Sequence, residues 1–311
     1  MFTPFQTNGQ FKVIGYVPVS KFFKPDIGKI EFKKITHLNL AFINPDSSGS
    51  FSKPPGIDSL IQTAHHFNVK VLASIGGGNS PFYLQKLLTD PFRSKLIDSI
   101  VSFIKDNYLD GEDVDLEGDA VDKNYASFIN ELGIRLKKNK KLLTSAVATY
   151  FVSKISTVVL NKFDLINVMS YDYTGPWTPK EPGQHSSYEK AIEDLNYFIK
   201  KRGIKKNKIV LGVPFYGYLF STDSITGVSF RNIIETYPGT EQADTFRIND
   251  QSVVYYNGRR TIDKKISLAL KMAGGIMIWQ LYQDTQGENS LLEIIDQKVK
   301  SKKETQINIR F

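Results

Sequence analysis

The chain of 311 residues has no cysteine, which excludes disulfides and thiol-based nucleophile or metal chemistry and leaves the redox compartment open. Histidine is nearly as scarce, with four in all. His37, His65 and His66 fall beside predicted strands or helices, so no metal site is expected. No apolar run nears the ~20 residues that span a bilayer, so no transmembrane segment is expected. Residues Met1 to Gln10 (MFTPFQTNGQ) have neither the basic nor the apolar region of a signal peptide. That lead reads as the start left once an export signal is gone. The expected location is secreted, periplasmic or cell-surface, and a cytoplasmic one is also compatible with the composition.

Positive charge, by contrast, is plentiful: the net charge is +8. Clustered Lys and Arg can neutralise phosphates. Here the clusters are Lys137, Lys138, Lys140 and Lys141; Lys200, Lys201, Arg202, Lys205, Lys206 and Lys208; and Arg259, Arg260, Lys264 and Lys265. They sit where helices meet loops, which are solvated places, so no nucleic-acid partner is expected.

Short β-branched runs recur along the chain, each followed by an amphipathic stretch, a pattern of βαβ units with a parallel sheet. The predicted strands are Lys12 to Val17, Ile35 to Ile43, Val69 to Ile75, Gly111 to Glu117, Leu142 to Thr149, Leu165 to Ser170, Ile209 to Pro214 and Gly275 to Leu281. Eight such strands fit an α/β fold of the (β/α)8 barrel type, and a single barrel needs roughly 250 residues. A doubly wound open sheet is disfavoured, because GYVPVS after the first strand is not a Gly-rich phosphate turn.

The expected organisation is one monomeric catalytic domain over residues 1–311, with the barrel over 11–296. A short insertion between strands seven and eight, 218–260, holds a helix at Ser229 to Thr236 and the strand-like QSVVYYNG. A charged tail, 297–311, follows a last short helix.

The segment NYLDGEDVDLEGDA carries the strongest chemical signal. Alternate residues of a strand share a face, so Asp113, Asp115 and Glu117 point one way, and Val114 and Leu116 the other. In a barrel the apolar pair meets the helices and the carboxylates meet the axis, with Glu117 uppermost, at the strand end where barrel active sites form. Three such close like charges cannot all ionise cheaply, so one should keep a proton near neutrality, as a general acid requires. An EF-hand calcium loop is excluded by Val114, Leu116 and Asn124, which stands where a bidentate Glu belongs.

Asp110, Gly111, Asp113, Asp115 and Glu117 reproduce D-G-x-D-x-D-x-E, and the chain resembles the family 18 glycoside hydrolases, the chitinase family, in which this motif lies on the fourth strand. The resemblance extends to Gly15 and Tyr16 on strand one, Phe42 ending strand two, Ser74, Gly76 and Gly77 on strand three, MSYD (Met169 to Asp172) on strand six, and Trp279 on strand eight.

It implies a retaining hydrolase acting beside N-acetylglucosamine, without a cofactor, in which the sugar's own acetamido oxygen attacks the anomeric carbon. Glu117 would be acid and then base. Asp115 would hold the acetamido N–H, with Asp113 sharing a proton beneath it, and Tyr171 would donate to the acetamido group. Met169 and Asp172 would line the subsite over a Trp279 floor. Tyr16, Phe42 and Met169 fit barrel core as well as sugar contact, and Ser74 with Gly76 to Gly78 fits a tight turn. Trp177 and His185 fall in the loop after MSYD, where substrate is expected.

Chitin or chito-oligosaccharide is the expected partner, with N-glycans or peptidoglycan as the alternative substrates. A non-catalytic lectin is the alternative of another class. Two tryptophans and a short insertion suggest soluble oligosaccharides in preference to crystalline polymer.

Overall fold

The computed structural model describes residues 10–20 and 25–308; the lead Met1 to Gly9 and the last three residues, Ile309 to Phe311, lie outside them. Eight parallel strands close into a barrel. They are β1 (Lys12–Pro18), β2 (His37–Ala41), β3 (Lys70–Gly76), β4 (Gly111–Asp115), β5 (Leu142–Val147), β6 (Leu165–Val168), β7 (Ile209–Pro214) and, after the insertion, β12 (Gly275–Trp279). β1 closes the ring by pairing with both β2 and β12. The chain is thus a (β/α)8 barrel.

The outer layer contains α1 (Ile57–His66), α2 (Leu84–Leu87), α3 (Phe92–Asp106), α4 (Tyr125–Lys138), α5 (Thr157–Leu160), α6 (Tyr188–Asn196), α8 (Arg259–Met272) and α9 (Leu291–Asn308). Their buried faces follow helical spacing: in α3, Leu96, Ile97, Ile100, Val101 and Ile104 lie inward. Between β1 and β2 the described residues form two 3-10 turns, Ile27–Lys29 and Phe32–Lys34, and no α-helix, a departure from the expected alternation. Pro25 and Gly28 disfavour a longer helix there. Among the described residues no helix is long and apolar enough to cross a membrane.

Several expectations are corrected. Most strands end earlier than their apolar runs suggest; β4 stops at Asp115, and Glu117 stands two residues beyond it, still extended (φ −119°, ψ 161°). Ladder pairing with β3 thus ends at Asp115 while the backbone at Glu117 remains extended.

The insertion holds more than one helix and one strand. β8 (Tyr216–Phe220), β9 (Ile225–Ser229), β10 (Thr245–Asn249) and β11 (Ser252–Tyr255) form an antiparallel sheet in the order β10-β11-β8-β9, with α7 (Phe230–Thr236) after β9. Its edge strands read ITGVS and TFRIN and bury little, so they lack the apolar run by which strands are recognised.

The final helix, α9, has eighteen residues and is not short. Leu291, Ile295 and Val299 are buried at i, i+4 and i+8, and Lys300 pairs with Asp296. The charge of this segment is therefore the solvated face of a docked helix. Nor is every basic cluster solvated: Lys265 is completely buried.

β4 also buries a charge-bearing group on its outer side. Glu112 shares the helix-facing side with Val114, is 1% exposed, and has no hydrogen bond to its Oε1 among the described residues. Burial, then the charge of Asp113, pushes its pKa well above the ordinary carboxylate range. A carboxyl raised on folding favours the native state below its unfolded pKa of about 4.3, and that contribution fades as pH climbs toward the folded value. Glu112→Leu should therefore stabilise the barrel by about 1–3 kcal/mol near neutral pH. Thermal unfolding across pH 5–8 checks this: the wild type should lose more stability with rising pH than the variant.

Candidate active site

The carboxylate ladder of β4 is built by its neighbours. Register places Ser74 of β3 and Thr144 of β5 beside Asp113. Asp113 Oδ2 accepts from the hydroxyls of Tyr16 (2.7 Å) and Ser74 (2.8 Å), and Oδ1 from Thr144 (2.5 Å) and Asn167 Nδ2 (3.2 Å). Tyr16's oxygen itself accepts from Asn167, so its proton points at Asp113. Burial raises the pKa of Asp113, and these four donors, which favour its charged form, offset that rise only in part. Each oxygen of Asp113 thus accepts two hydrogen bonds.

Asp115 is 3% exposed, and its Oδ1 has no hydrogen-bond partner among the described residues. Burial, then the charges of Glu117 and Asp113, raise its pKa well above the usual range. Glu117 is half-buried, and its pKa is pushed up to about 7 by burial first and by the charge of Asp172 second. A hydrogen bond from Tyr150 pulls the other way. Gly76 has to be glycine: its φ is +112°, and a Cβ would meet the Asp115 carbonyl oxygen at 2.1 Å.

A cavity of about 730 Å³ opens above the ladder, large enough for an oligosaccharide segment. Asp115, Glu117, Tyr171, Phe42, Gly76, Met169, Asp172, Trp177 and Trp279 all line it. Tyr16, Ser74 and Asp113 do not; they form the buried layer beneath. Trp279 stacks on Phe42 (centroids 5.6 Å, 25° between planes) and leans on Tyr16 at 5.5 Å, giving a flat apolar floor. Ala41–Phe42 and Trp279–Gln280 are both cis peptides.

Asp172, at φ +64°, accepts at Oδ1 from Tyr216 (2.5 Å) and Tyr218 (3.0 Å). His185 is not turned toward substrate as expected. It is wholly buried, with Nδ1 3.3 Å from that same Asp172 oxygen and Nε2 3.2 Å from the Tyr216 carbonyl.

Sequence reasoning missed Asn44, Tyr150 and Tyr173, which line the cavity, and Thr144 and Asn167, which hold Asp113. The last two had a signal: each is a polar residue at an inward position of an apolar strand. Tyr150 lies in a turn after β5 with no periodicity to mark it.

The profile of the family described as glycosyl hydrolases family 18 matches residues 12–284. The crystal structure of the GH18 chitinase ChiB from the chitin utilization locus of Flavobacterium johnsoniae superposes with a TM-score of 0.86 at 41% identity, covering 93% of this chain and 94% of that one. A chitinase from Bacteroides thetaiotaomicron gives 0.82 at 34%, covering 94% and 97%. An endochitinase of Manduca sexta is 27% identical over 267 residues, 70% of this chain and 47% of that protein. The chain thus spans about half the length of this curated relative.

Proposed function

The chain belongs to the glycosyl hydrolases of family 18, and on that footing we propose that it is a retaining enzyme that cleaves β-1,4 bonds next to N-acetylglucosamine, with the substrate's own acetamido group as nucleophile. The observation that carries the reading is the pair at the mouth of the ladder. Glu117 has a pKa near 7 and faces the cavity two residues above Asp115, a buried acceptor whose Oδ1 has no protein partner among the described residues.

A protonated Glu117 gives its proton to the leaving glycosidic oxygen while the acetamido oxygen closes on the anomeric carbon. Asp115 accepts the acetamido N–H and offsets the positive charge that develops on the ring. Tyr171, held protonated by burial and by the charge of Asp115, donates to the acetamido group. Trp279 supports the distorted sugar from below. Glu117, now ionised, takes a proton from water, which opens the cyclic intermediate from the face the leaving group vacated; two inversions at one carbon retain its configuration.

Trp177 and Trp279, the only two tryptophans, both line the cavity, and Trp177 is 55% exposed at its rim. Two such platforms grip a few sugar units and leave no aromatic row for a crystalline chain. We expect a monomeric domain of 1–311 acting on soluble chito-oligosaccharides outside the cytoplasm.

Three substrates test this. Aryl chitobioside should release its chromophore, chito-oligosaccharides should turn over at least about tenfold faster than crystalline chitin, and a high-mannose glycoprotein should stay intact. Glycan release without chitobioside cleavage would move the assignment to the N-glycan enzymes. Oligosaccharide binding without any cleavage would make the barrel a lectin.

A further inference from the structure

Lys265 lies on α8, outside the cavity, with its side chain completely buried. Its ammonium stands 2.7 Å from each of three acceptors, the Ser186 carbonyl oxygen, Ser186 Oγ and Asn257 Oδ1, one for each proton. Burial draws its pKa down to about 7, while the charges of Asp244, Asp194 and Glu189 act upward. Burying an ammonium is costly, and here the cost secures one dipeptide.

That dipeptide, His185–Ser186, grips the chain on both sides of Tyr171 and Asp172. The Ser186 hydroxyl donates to the Ser170 carbonyl at 2.6 Å, one residue before Tyr171. The Tyr173 N–H donates to the His185 carbonyl at 3.1 Å, one residue after Asp172. Between these two points the His185 ring packs on Asp172 itself, with Nε2 turned to the Tyr216 carbonyl. A carbonyl only accepts, so Nε2 carries a proton and the orientation of the ring is set. Asp172, in its left-handed conformation, is braced from the side away from substrate.

We propose that Lys265 is a positioning residue for the acid–base step, holding Tyr171 and Asp172 in place opposite Glu117 through Ser186 and His185. The inference rests on Glu117 being the acid. Its charge neighbour is Asp172, so movement of Asp172 is read out in the ionisation of Glu117 as well as in rate.

The test compares Lys265→Met with Ile262→Ala, which removes buried packing from the same helix but no hydrogen bond to the dipeptide. On aryl chitobioside, Lys265→Met should lower kcat about tenfold, with KM within about threefold of wild type. The basic limb of its pH profile should move down by about half a unit or more, because a displaced Asp172 no longer opposes ionisation of Glu117. Ile262→Ala should lower Tm and leave kcat and the limb unchanged. Should Lys265→Met fail to fold, Ser186→Ala, which deletes only the hydroxyl bridge, should give the same signature in weaker form.

Wild-type kcat and an unmoved limb in a folded Lys265→Met, or in Ser186→Ala where the former does not fold, overturn the proposal. So does an Ile262→Ala variant with the same kinetic signature. A wild type without turnover removes the reading of Glu117 and this inference together, whereas an active wild type with unchanged variants removes this inference alone.

Discussion

Glu117→Gln should fold, bind chito-oligosaccharides and lose turnover by roughly 10²–10⁴-fold, the range a positioned general acid–base contributes. Glutamine has the shape and neutrality of the protonated acid but no proton to give, so ground-state binding has no reason to weaken. The loss should also depend on the leaving group. An aryl leaving group departs with little protonation, so the first step on aryl chitobioside is less impaired than on an unsubstituted oligosaccharide. Opening the intermediate still needs a base on both substrates. Parallel kcat measurements, with circular dichroism and calorimetric binding, check all of this; activity within tenfold of wild type would remove Glu117 as the acid.

The same residue fixes the sign of the pH dependence. The acid must be protonated at the start of each turnover, so kcat should fall as pH rises through about 7, where Glu117 ionises. Part of that elevation comes from the charge of Asp172, though burial comes first.

The alternation in DGEDVDLEG made the ladder legible in the sequence, because strand period is a local property and three carboxylates on one face have few structural uses. What surrounds the ladder was not local. Thr144 and Asn167 meet Asp113 only because β5 and β6 pair in a particular register, and no spacing within one segment reports that.

Lys265 looked like one lysine in a solvated cluster, since burial of a cation is decided by acceptors at Ser186 and Asn257 brought from elsewhere in the fold. Glu112 sat unmarked beside Asp113 for the same reason: the strand pattern fixed its direction but not that its Oε1 lacks a partner among the described residues. The family motif supplied roles where physical periodicity supplied only placement.

The second large effect concerns a pair of amide variants expected to differ in stability although both impair catalysis. Asp115→Asn should cut kcat by about 10²–10³-fold, as expected when a group aimed at developing charge is lost. An amide in that place turns a donor toward the acetamido N–H or offers only a neutral oxygen, so the attacking group is poorly oriented and the positive charge is unopposed. The variant should nonetheless be more stable than wild type, because it replaces a buried acid whose pKa is raised well above normal. A carboxyl raised in this way stabilises the fold least at high pH, so the gain should grow from pH 5 to pH 8.

Asp113→Asn removes a group that, unlike Asp115, is held by hydrogen-bond donors at both oxygens. Its two oxygens receive four donors, two each, and an amide offers one oxygen and an NH₂ that meets two of those donors head-on. Each donor left unpaired in the barrel interior costs about 1–3 kcal/mol, so Asp113→Asn should be distinctly destabilised. Denaturant unfolding at pH 8 should therefore place Asp115→Asn above the wild type and Asp113→Asn below it. The reverse order would mean that Asp113 carries the proton of the ladder and Asp115 the charge.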